Sequence, residues 1–106
     1  MRQVRIDGYV LDTLMPDLIG HDRQASAFIV YLHLWNRSFG ARARSVRTSH
    51  QRISDEVGLS KSAVQAAIRN LLRRRLLRSE HANRTATPEY FVLRPWRHRT
   101  RATQPS

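Results

Sequence analysis

Cysteine is missing from this 106-residue chain, and lysine occurs only once, at Lys61. Without cysteine there is neither a disulfide framework nor a thiolate metal site, and the five histidines show no pair at metal-ligand spacing. The longest apolar run, near residues 25–35, is too short to cross a bilayer. The N-terminus lacks the basic-then-apolar pattern of a signal peptide, so we expect a cytoplasmic protein.

Catalytic patterns are missing as well. Asp55 and Glu56 are adjacent, so on a helix they point in different directions, and we interpret them as solvated charges near Arg52 or Arg69. Glycine-rich phosphate loops and nucleophile elbows do not occur. We therefore expect neither an enzyme nor a bound cofactor, metal or small-molecule ligand.

Positive charge is present in excess and is unevenly distributed. Lysine and arginine total 19 against 8 aspartate and glutamate residues, which gives a net charge of +11. Residues 1–40 contain four arginines and four aspartates, so residues 41–106 carry the whole excess. A preference for solvated arginine does not explain why one half is neutral. This asymmetry is typical of a surface that attracts polyanions, and it favours a nucleic acid as the partner.

The neutral half begins with a stretch of helical spacing. Apolar residues recur over residues 9–19 with an interruption at Pro16, which indicates a short helix or turn. Gly20 is expected to close it. This N-terminal segment, residues 1–21, precedes the main predicted domain.

Residues 23–38 form the most strongly predicted helix of the first half, with Asp22 as its cap and Gly40 as its stop. Nine of the eleven residues over 25–35 are apolar. A helix that is apolar on all sides must be covered on all sides. Either residues 9–19 fold over it or a second copy of the chain does, and we favour a homodimer through this helix.

The middle of the chain predicts two further helices, over 50–57 and 61–75, preceded by a short strand at Ser45–Arg47. Thr48 or Ser49 can cap the first helix. Gln51 follows Thr48 by three residues, which resembles a capping box.

The connection between these two helices is short, so they must cross closely at a steep angle. Ser54 is small enough for the crossing, Gly58 tolerates the positive φ of the turn, and Ser60 caps the second helix. Aliphatic side chains are predicted to hold the pair on the core: Ile53, Val57, Leu59, Val64, Ala67, Ile68, Leu71 and Leu72.

The remaining side chains of the second helix are short, polar or cationic and face outward: Lys61, Ser62, Gln65, Ala66, Arg69 and Arg73. Arginine pairs with guanine edges and glutamine with adenine, and base contacts concentrate at the start of such a helix. We therefore predict base contacts from Ser62, Gln65, Ala66 and Arg69. Arg73 and Arg74 are predicted to contact phosphates. The full set of predicted DNA-binding residues is Ser49, Ser60, Lys61, Ser62, Gln65, Ala66, Arg69, Arg73, Arg74 and Arg84.

The segment over residues 51–70 resembles the helix-turn-helix of phage repressors and of many bacterial winged-helix regulators and replication initiators. The shared features are the glycine turn, the Ser-Lys-Ser-Ala-Val start of the second helix and two downstream leucines. Ser54 departs from the alanine most common in the family. The resemblance extends over residues 27–93 and implies a winged helix-turn-helix domain over 22–93. This fold is mainly α with a small β-hairpin wing, an α+β class.

The predicted wing, residues 76–93, has strands at Leu76–Ser79 and Tyr90–Leu93 and a polar loop at 80–89. The loop either reaches a phosphate or the minor groove, or simply solvates the hairpin; its candidate contacts are His81, Asn83, Arg84 and Thr85. Residues 94–106 are predicted to be a disordered basic tail. Its residues Arg97, Arg99 and Arg101 form either a minor-groove arm or a non-specific electrostatic tail, and we favour the tail.

Three bulky side chains have simpler interpretations. Trp35 is predicted to lie in the core, and His33 to be packed or at an interface rather than a metal ligand. Trp96 is expected to pack back on helix one, with base stacking the less favoured role.

Taken together, these features predict sequence-specific binding of double-stranded DNA by a nucleoid-associated bacterial or phage transcriptional regulator. The predicted helix over 61–75 would enter the major groove, and the wing and tail would contact the DNA backbone. Two alternatives remain: the DNA-binding domain of a plasmid or phage replication initiator, and a protein- or RNA-interaction module on the same scaffold.

Overall fold

Helices precede most of the sheet along the chain in the computed structural model, which describes residues 1–97. The elements are an N-terminal segment with π-helical turns at Val10–Leu14 and Asp17–His21, helix α1 (Ala25–Arg37), a 3-10 turn (Phe39–Ala41), strand β1 (Val46–Arg47), helix α2 (His50–Val57), helix α3 (Lys61–Arg73), and strands β2 (Leu77–Glu80) and β3 (Glu89–Val92). The strands form one antiparallel sheet in the order β1-β3-β2. The fold is α+β with a predominance of helix.

The N-terminal segment presents two parallel rows of apolar side chains. Val10, Leu14 and Leu18 are buried against the rest of the chain, whereas Leu11, Met15 and Ile19 are exposed. Each row repeats every four residues, which is close to one helical turn, so its members lie on one side of the segment. Pro16, which has no N–H to donate, stands between the two π turns. The segment continues through Gly20 to His21, so the predicted stop at Gly20 is wrong.

Helix α1 is covered mainly by its own chain. Six of its side chains are buried: Ala27, Phe28, Val30, Tyr31, Leu34 and Trp35. Among its large apolar residues, Ile29 is the one that is exposed, at 41%. The N-terminal segment and α3 both pack on the helix. Residues 9–19 therefore supply part of the cover that the sequence requires.

The residues predicted to cap and to stop α1, Asp22 and Gly40, are both wrong. The N-cap residue is Gln24, whose side chain makes no capping hydrogen bond. Asp22 instead accepts a hydrogen bond from Asn70 Nδ2 at 3.1 Å. At the other end, Ser38 terminates the helix and its hydroxyl donates back to Leu34 O at 2.7 Å. Gly40 lies in the following 3-10 turn without a positive φ.

Helix α2 begins and ends on local signals, and α3 begins on one. Ser49 caps α2 by accepting from Arg52 N at 3.1 Å, and Ser60 caps α3 by accepting from Ala63 N at 3.1 Å. Gly58 ends α2 with φ +82°, a conformation that L side chains rarely adopt. The Ser54 hydroxyl donates to Leu59 O and so fixes the turn between the two helices.

The capping box predicted from Thr48 and Gln51 does not form. Gln51 donates to Asp55 Oδ1 at 3.0 Å, and the buried Thr48 hydroxyl has no hydrogen-bond partner in the described part of the chain. Ser49, the neighbouring residue, provides the cap instead.

Helix α3 ends two residues earlier than predicted. Arg75 adopts a left-handed φ of 58°. Arg75 N then donates to Leu72 O at 3.1 Å, and Leu76 N donates to Leu71 O at 2.9 Å. This pair of bonds defines a Schellman ending, here with arginine at the position that glycine usually occupies. The buried side chain of Leu76 starts the passage into the sheet.

The sheet consists of a hairpin, formed by β2 and β3, and of strand β1, which comes from an earlier part of the chain. In the hairpin, Leu77 lies opposite Val92 and Glu80 lies opposite Glu89. Strand β1 joins the outer side of β3, with Val46 opposite Tyr90. The observed strands are shifted by one residue from the predicted ones, toward the loop. This shift leaves residues 81–88 as the loop of the hairpin.

The chain after β3 packs onto the domain, so the predicted tail starts too early. Tyr31 donates its hydroxyl to Leu93 O at 2.8 Å, and the Arg94 guanidinium lies 4.2 Å from the centroid of the Phe39 ring. Trp96 stacks on Tyr9 at 4.6 Å between ring centroids. This stacking places Trp96 against the N-terminal segment, and the ring also packs against the hydrophobic core.

The remaining tail arginines, Arg99 and Arg101, lie outside the described residues. Within residues 1–97, no helix has the length and apolar character needed to span a membrane.

Candidate nucleic-acid interface

A concave groove of about 740 Å³ lies between the start of α2, one face of α3 and the β2–β3 hairpin. We call it the basic groove. Helix α2 contributes its cap and first turn, α3 contributes residues spaced by about one turn, and the hairpin closes the far side. Its polar lining residues are Ser49, His50, Gln51, Lys61, Gln65, Arg69, Ser79, His81, Arg84 and Tyr90.

Helix α3 contributes a row of polar side chains to the basic groove. Lys61, Gln65 and Arg69 follow one another at intervals of four residues, so they lie on one helical face. The opposite face is fixed in the core by Val64 and Leu71, both fully buried. The side chains of the row therefore point away from the core because the aliphatic face is held inward.

The cations of the basic groove have no acidic partner in the part of the chain that the structure describes. Within residues 1–97, no acidic side chain lies at salt-bridge distance from Lys61, Arg69 or Arg84. Lys61 and Arg69 stand on α3, whereas Arg84 stands on the hairpin loop across the groove. The groove therefore presents unpaired positive charge from two sides.

His50 and Tyr90, which both line the basic groove, connect α2 with the sheet. His50 Nε2 lies 3.3 Å from the Tyr90 hydroxyl. Burial lowers the pKa of His50, and the positive charges of Lys61 and Arg69 lower it further. Burial raises the pKa of Tyr90, so its phenol stays neutral. The lowered pKa of His50 therefore reflects its burial first and the positive charge of the groove second.

The structure divides the predicted DNA-binding residues into two groups. Five of them line the basic groove: Ser49, Lys61, Gln65, Arg69 and Arg84. The other five lie outside its lining: Ser60, Ser62, Ala66, Arg73 and Arg74. Ser62 and Arg73 are exposed beside the groove, and Ala66 is half-buried. The hydroxyls of Ser60 and Ser62 lie 3.3 Å apart.

Arg74 is held by acidic residues of the N-terminal segment, partners that the sequence did not predict. Its guanidinium pairs with Asp17 and, at 3.3 Å, with Asp22. Arg73 differs because its only described polar contact is a hydrogen bond to Asn70 Oδ1. The sequence separation between Arg74 and Asp17 explains why the pairing was missed, since no local pattern signals it.

The hairpin loop offers fewer free groups than predicted. Asn83 Oδ1 accepts hydrogen bonds from Thr85 N and Thr85 Oγ1, both at 3.0 Å, and these two residues stabilise the loop itself. His81 and Arg84 line the basic groove. Arg78, on the strand, lies 4.0 Å above the Phe91 ring and also pairs with Glu80.

The acidic pair of α2 has other partners than those predicted. Glu56 pairs with His33 at 2.9 Å and with Arg37 at 2.8 Å, both on α1, rather than with Arg52 or Arg69. This contact leaves Arg69 unpaired and identifies His33 as a half-buried interhelical residue. The contact depends on how α1 crosses α2, which the sequence does not specify.

Sequence reasoning missed His50, Gln51 and Tyr90 as lining residues of the basic groove. The position of His50 directly after the capping pair could have indicated it, because the first residue of a helix lies beside unbonded N–H groups. Tyr90 carried no such signal, since it was predicted only as a strand residue.

No protein-family model, curated protein or solved structure matches this chain.

Proposed function

We propose that this chain is a winged helix-turn-helix protein that binds double-stranded DNA sequence-specifically. The observation that carries the proposal is the basic groove, where unpaired cations on α3 face an unpaired cation on the hairpin loop. Helix α3 is the recognition helix in this proposal, and the β2–β3 hairpin is the wing. The resemblance of residues 51–70 to regulators favours a role in transcription.

The outward-facing residues of α3 suit different parts of a duplex. Ser62, Ala66 and Arg69 face the major groove in this arrangement, and Gln65 reaches base edges from the side of the wing. Lys61 and Arg84 flank the basic groove, where a sugar–phosphate strand fits between recognition helix and wing. The first turn of α2 adds unbonded backbone N–H groups beside Ser49, which suit a phosphate oxygen.

We also propose that two copies act together on DNA, as the apolar character of the first half suggested. Ile29 on α1 and the row of Leu11, Met15 and Ile19 are exposed apolar residues. All of them belong to residues 1–40, which carry no net charge. Two copies can therefore approach through this part of the chain without opposing their basic surfaces. Sedimentation of the purified chain tests this part of the proposal through its mass in solution.

The DNA-binding proposal is tested by titrating the protein against a fluorescein-labelled random-sequence 30-base-pair duplex over a range of salt concentrations. Three to four phosphate contacts should give a slope of about −2.7 to −3.6 for log affinity against log salt. Successive rounds of selection from a random duplex pool should then enrich a defined sequence. A binding constant that ignores salt, or the absence of duplex binding, would contradict the proposal.

An RNA hairpin and a single-stranded DNA of equal length serve as matched competitors in the same titration. A duplex-specific reader of base edges should prefer the DNA duplex, because the major groove of A-form RNA is too narrow for side chains to read. Stronger binding to the RNA hairpin would instead support the interaction-module alternative.

A further inference from the structure

His50 occupies a position in the basic groove from which it can contact a bound phosphate. It is the first residue of α2, directly after the Ser49 cap. The side chain is half-buried and lines the groove together with Lys61 and Arg69. Tyr90 engages Nε2 at 3.3 Å, which leaves Nδ1 as the ring nitrogen for a ligand. The tyrosine contact holds the imidazole in place in either protonation state, because a phenol both donates and accepts.

Each element around His50 contributes groups that decide its charge. Helix α3 contributes the cations Lys61 and Arg69. The hairpin contributes Arg84, the second imidazole of His81 and the neutral phenol of Tyr90. Among the described residues that line the basic groove there is no carboxylate. The free protein therefore places positive charge around His50, and no described residue of the groove lining offers a negative charge to an imidazolium.

We propose that His50 is a phosphate ligand of the basic groove that takes up a proton when DNA binds. This inference rests on the proposed function and adds a pH dependence to it. A phosphate seated between α3 and the hairpin brings negative charge next to Lys61, Arg69 and His50 at once. An imidazolium then gains a charge-assisted hydrogen bond to the phosphate oxygen and no longer faces two uncompensated cations.

The direction of the pH dependence follows from linkage. In the free protein, burial and the neighbouring cations hold the pKa of His50 below its ordinary value, so the ring is neutral at pH 7. The phosphate raises this pKa in the complex. Between the two values the complex binds more protons than the free protein does, and affinity must therefore increase as pH falls.

The experiment measures affinity for the labelled random-sequence duplex between pH 6 and pH 8 at constant ionic strength. Uptake of one proton increases the affinity by at most about tenfold per pH unit, and we expect a several-fold increase across the range. Calorimetry at pH 7 in PIPES and in Tris, two buffers of different protonation enthalpy that bring no phosphate to the groove, should show an enthalpy difference that corresponds to uptake of up to about one proton. The duplex itself does not titrate in this range.

The variant His50→Gln keeps a polar side chain at the position but cannot be charged. It should lose the pH dependence and the proton uptake, while its thermal unfolding midpoint shows that the fold is retained. His21→Gln is the matched control, because His21 is exposed on the N-terminal segment away from the groove. This control should keep both the affinity and the pH dependence of the unmodified protein.

The outcomes separate this inference from the proposed function. Salt-sensitive duplex binding that is independent of pH overturns the role of His50 and leaves DNA binding standing. A pH dependence that survives in His50→Gln and vanishes in His81→Gln assigns the proton to the wing and also overturns it. Absence of duplex binding at every pH overturns the proposed function first.

Discussion

The two ends of helix α3 carry similar positive charge but differ in what surrounds it. From its first residue, Lys61, to Arg69, the helix faces an open groove, and none of the described residues that line this groove is a carboxylate. At the C-terminal end, Arg74 lies between Asp17 and Asp22 of the N-terminal segment. The same type of side chain is therefore available to a polyanion at one end and committed to the fold at the other. A count of arginines along a sequence does not distinguish these two situations.

The acidic residues that make this difference come from the neutral half of the chain. Asp22 accepts from Asn70 Nδ2, and Asn70 is only 2% exposed. The N-terminal segment thus supplies carboxylates where α3 would otherwise present buried or half-buried polar groups without partners. The acidic residues that make residues 1–40 neutral therefore have a structural role, because two of them, Asp17 and Asp22, bind polar groups at the end of α3.

The largest expected effect comes from removing the packing on which both ends of α3 depend. Leu71 is fully buried on the inward face. Leu71→Ala should lower the free energy of unfolding by about 2–5 kcal/mol, through lost burial and the cavity left behind. Urea denaturation measures this change. The neighbouring Leu72 is half-buried beside the basic groove, and Leu72→Ala should cost less. Equal losses in the two variants would contradict the assignment of the inward face.

The second prediction compares the two ends directly in DNA binding. Arg69→Ala should weaken duplex binding by about 1–3 kcal/mol and relax the selected base preference. Arg74→Ala should leave the affinity of the folded protein unchanged, because its guanidinium is already paired with two aspartates. Fluorescence anisotropy at fixed salt measures both. If Arg74→Ala weakened binding as much as Arg69→Ala, the aspartate pairing would not persist in the complex.

The third prediction concerns the stability supplied by the C-terminal end. Asp22→Ala removes the acceptor of the buried Asn70 amide and one partner of Arg74, and it should cost about 1–3 kcal/mol in the free energy of unfolding. Asp12→Ala is the control, since Asp12 is exposed on the same segment. A comparable loss in the control would show that the effect belongs to the segment rather than to the contact.

The same carboxylate predicts a loss of stability in acid. Burial raises the pKa of Asp22, but hydrogen bonds from His21 and Asn70 and the charge of Arg74 outweigh it, so the pKa lies below its ordinary value of 3.8. The ionised form is thus favoured in the folded state. Its contribution is complete above the ordinary value and is lost as pH falls through the lowered one. Asp22→Asn should flatten the dependence of unfolding free energy on pH below about 4.

The sequence predicts α2, the turn and the start of α3 well because their signals are local. Ser49, Gly58 and Ser60 each act on backbone groups within a few residues. It could not predict the pairing of Arg74 with Asp17, because these residues are separated by most of the chain and come together only when α3 packs beside the N-terminal segment. The contact of Tyr90 with His50 could not be predicted either, because the two residues come together only when the sheet packs beside α2.

The end of α3 shows a different limit. Helical propensity continues through Arg74 and Arg75, so the pattern predicts helix there. The buried Leu76 must enter the core and the following residues must reach the sheet, and the chain therefore turns at Arg75 in a conformation that disfavours arginine. Tertiary packing overrides the local preference at this position. Tertiary packing likewise determines which arginines of the helix are paired with carboxylates and which stay unpaired.

The smallest expected effect tests which residue caps α2 at the edge of the basic groove. The Ser49 hydroxyl accepts from Arg52 N, whereas the buried Thr48 hydroxyl has no partner within residues 1–97. Ser49→Ala should therefore lower the free energy of unfolding by about 0.5–2 kcal/mol. Thr48→Val keeps the shape and removes an unsatisfied hydroxyl, so stability should stay unchanged or rise. Urea denaturation of the two variants compares them directly. A larger loss in Thr48→Val would restore threonine as the cap and would free the Ser49 hydroxyl to donate to a phosphate.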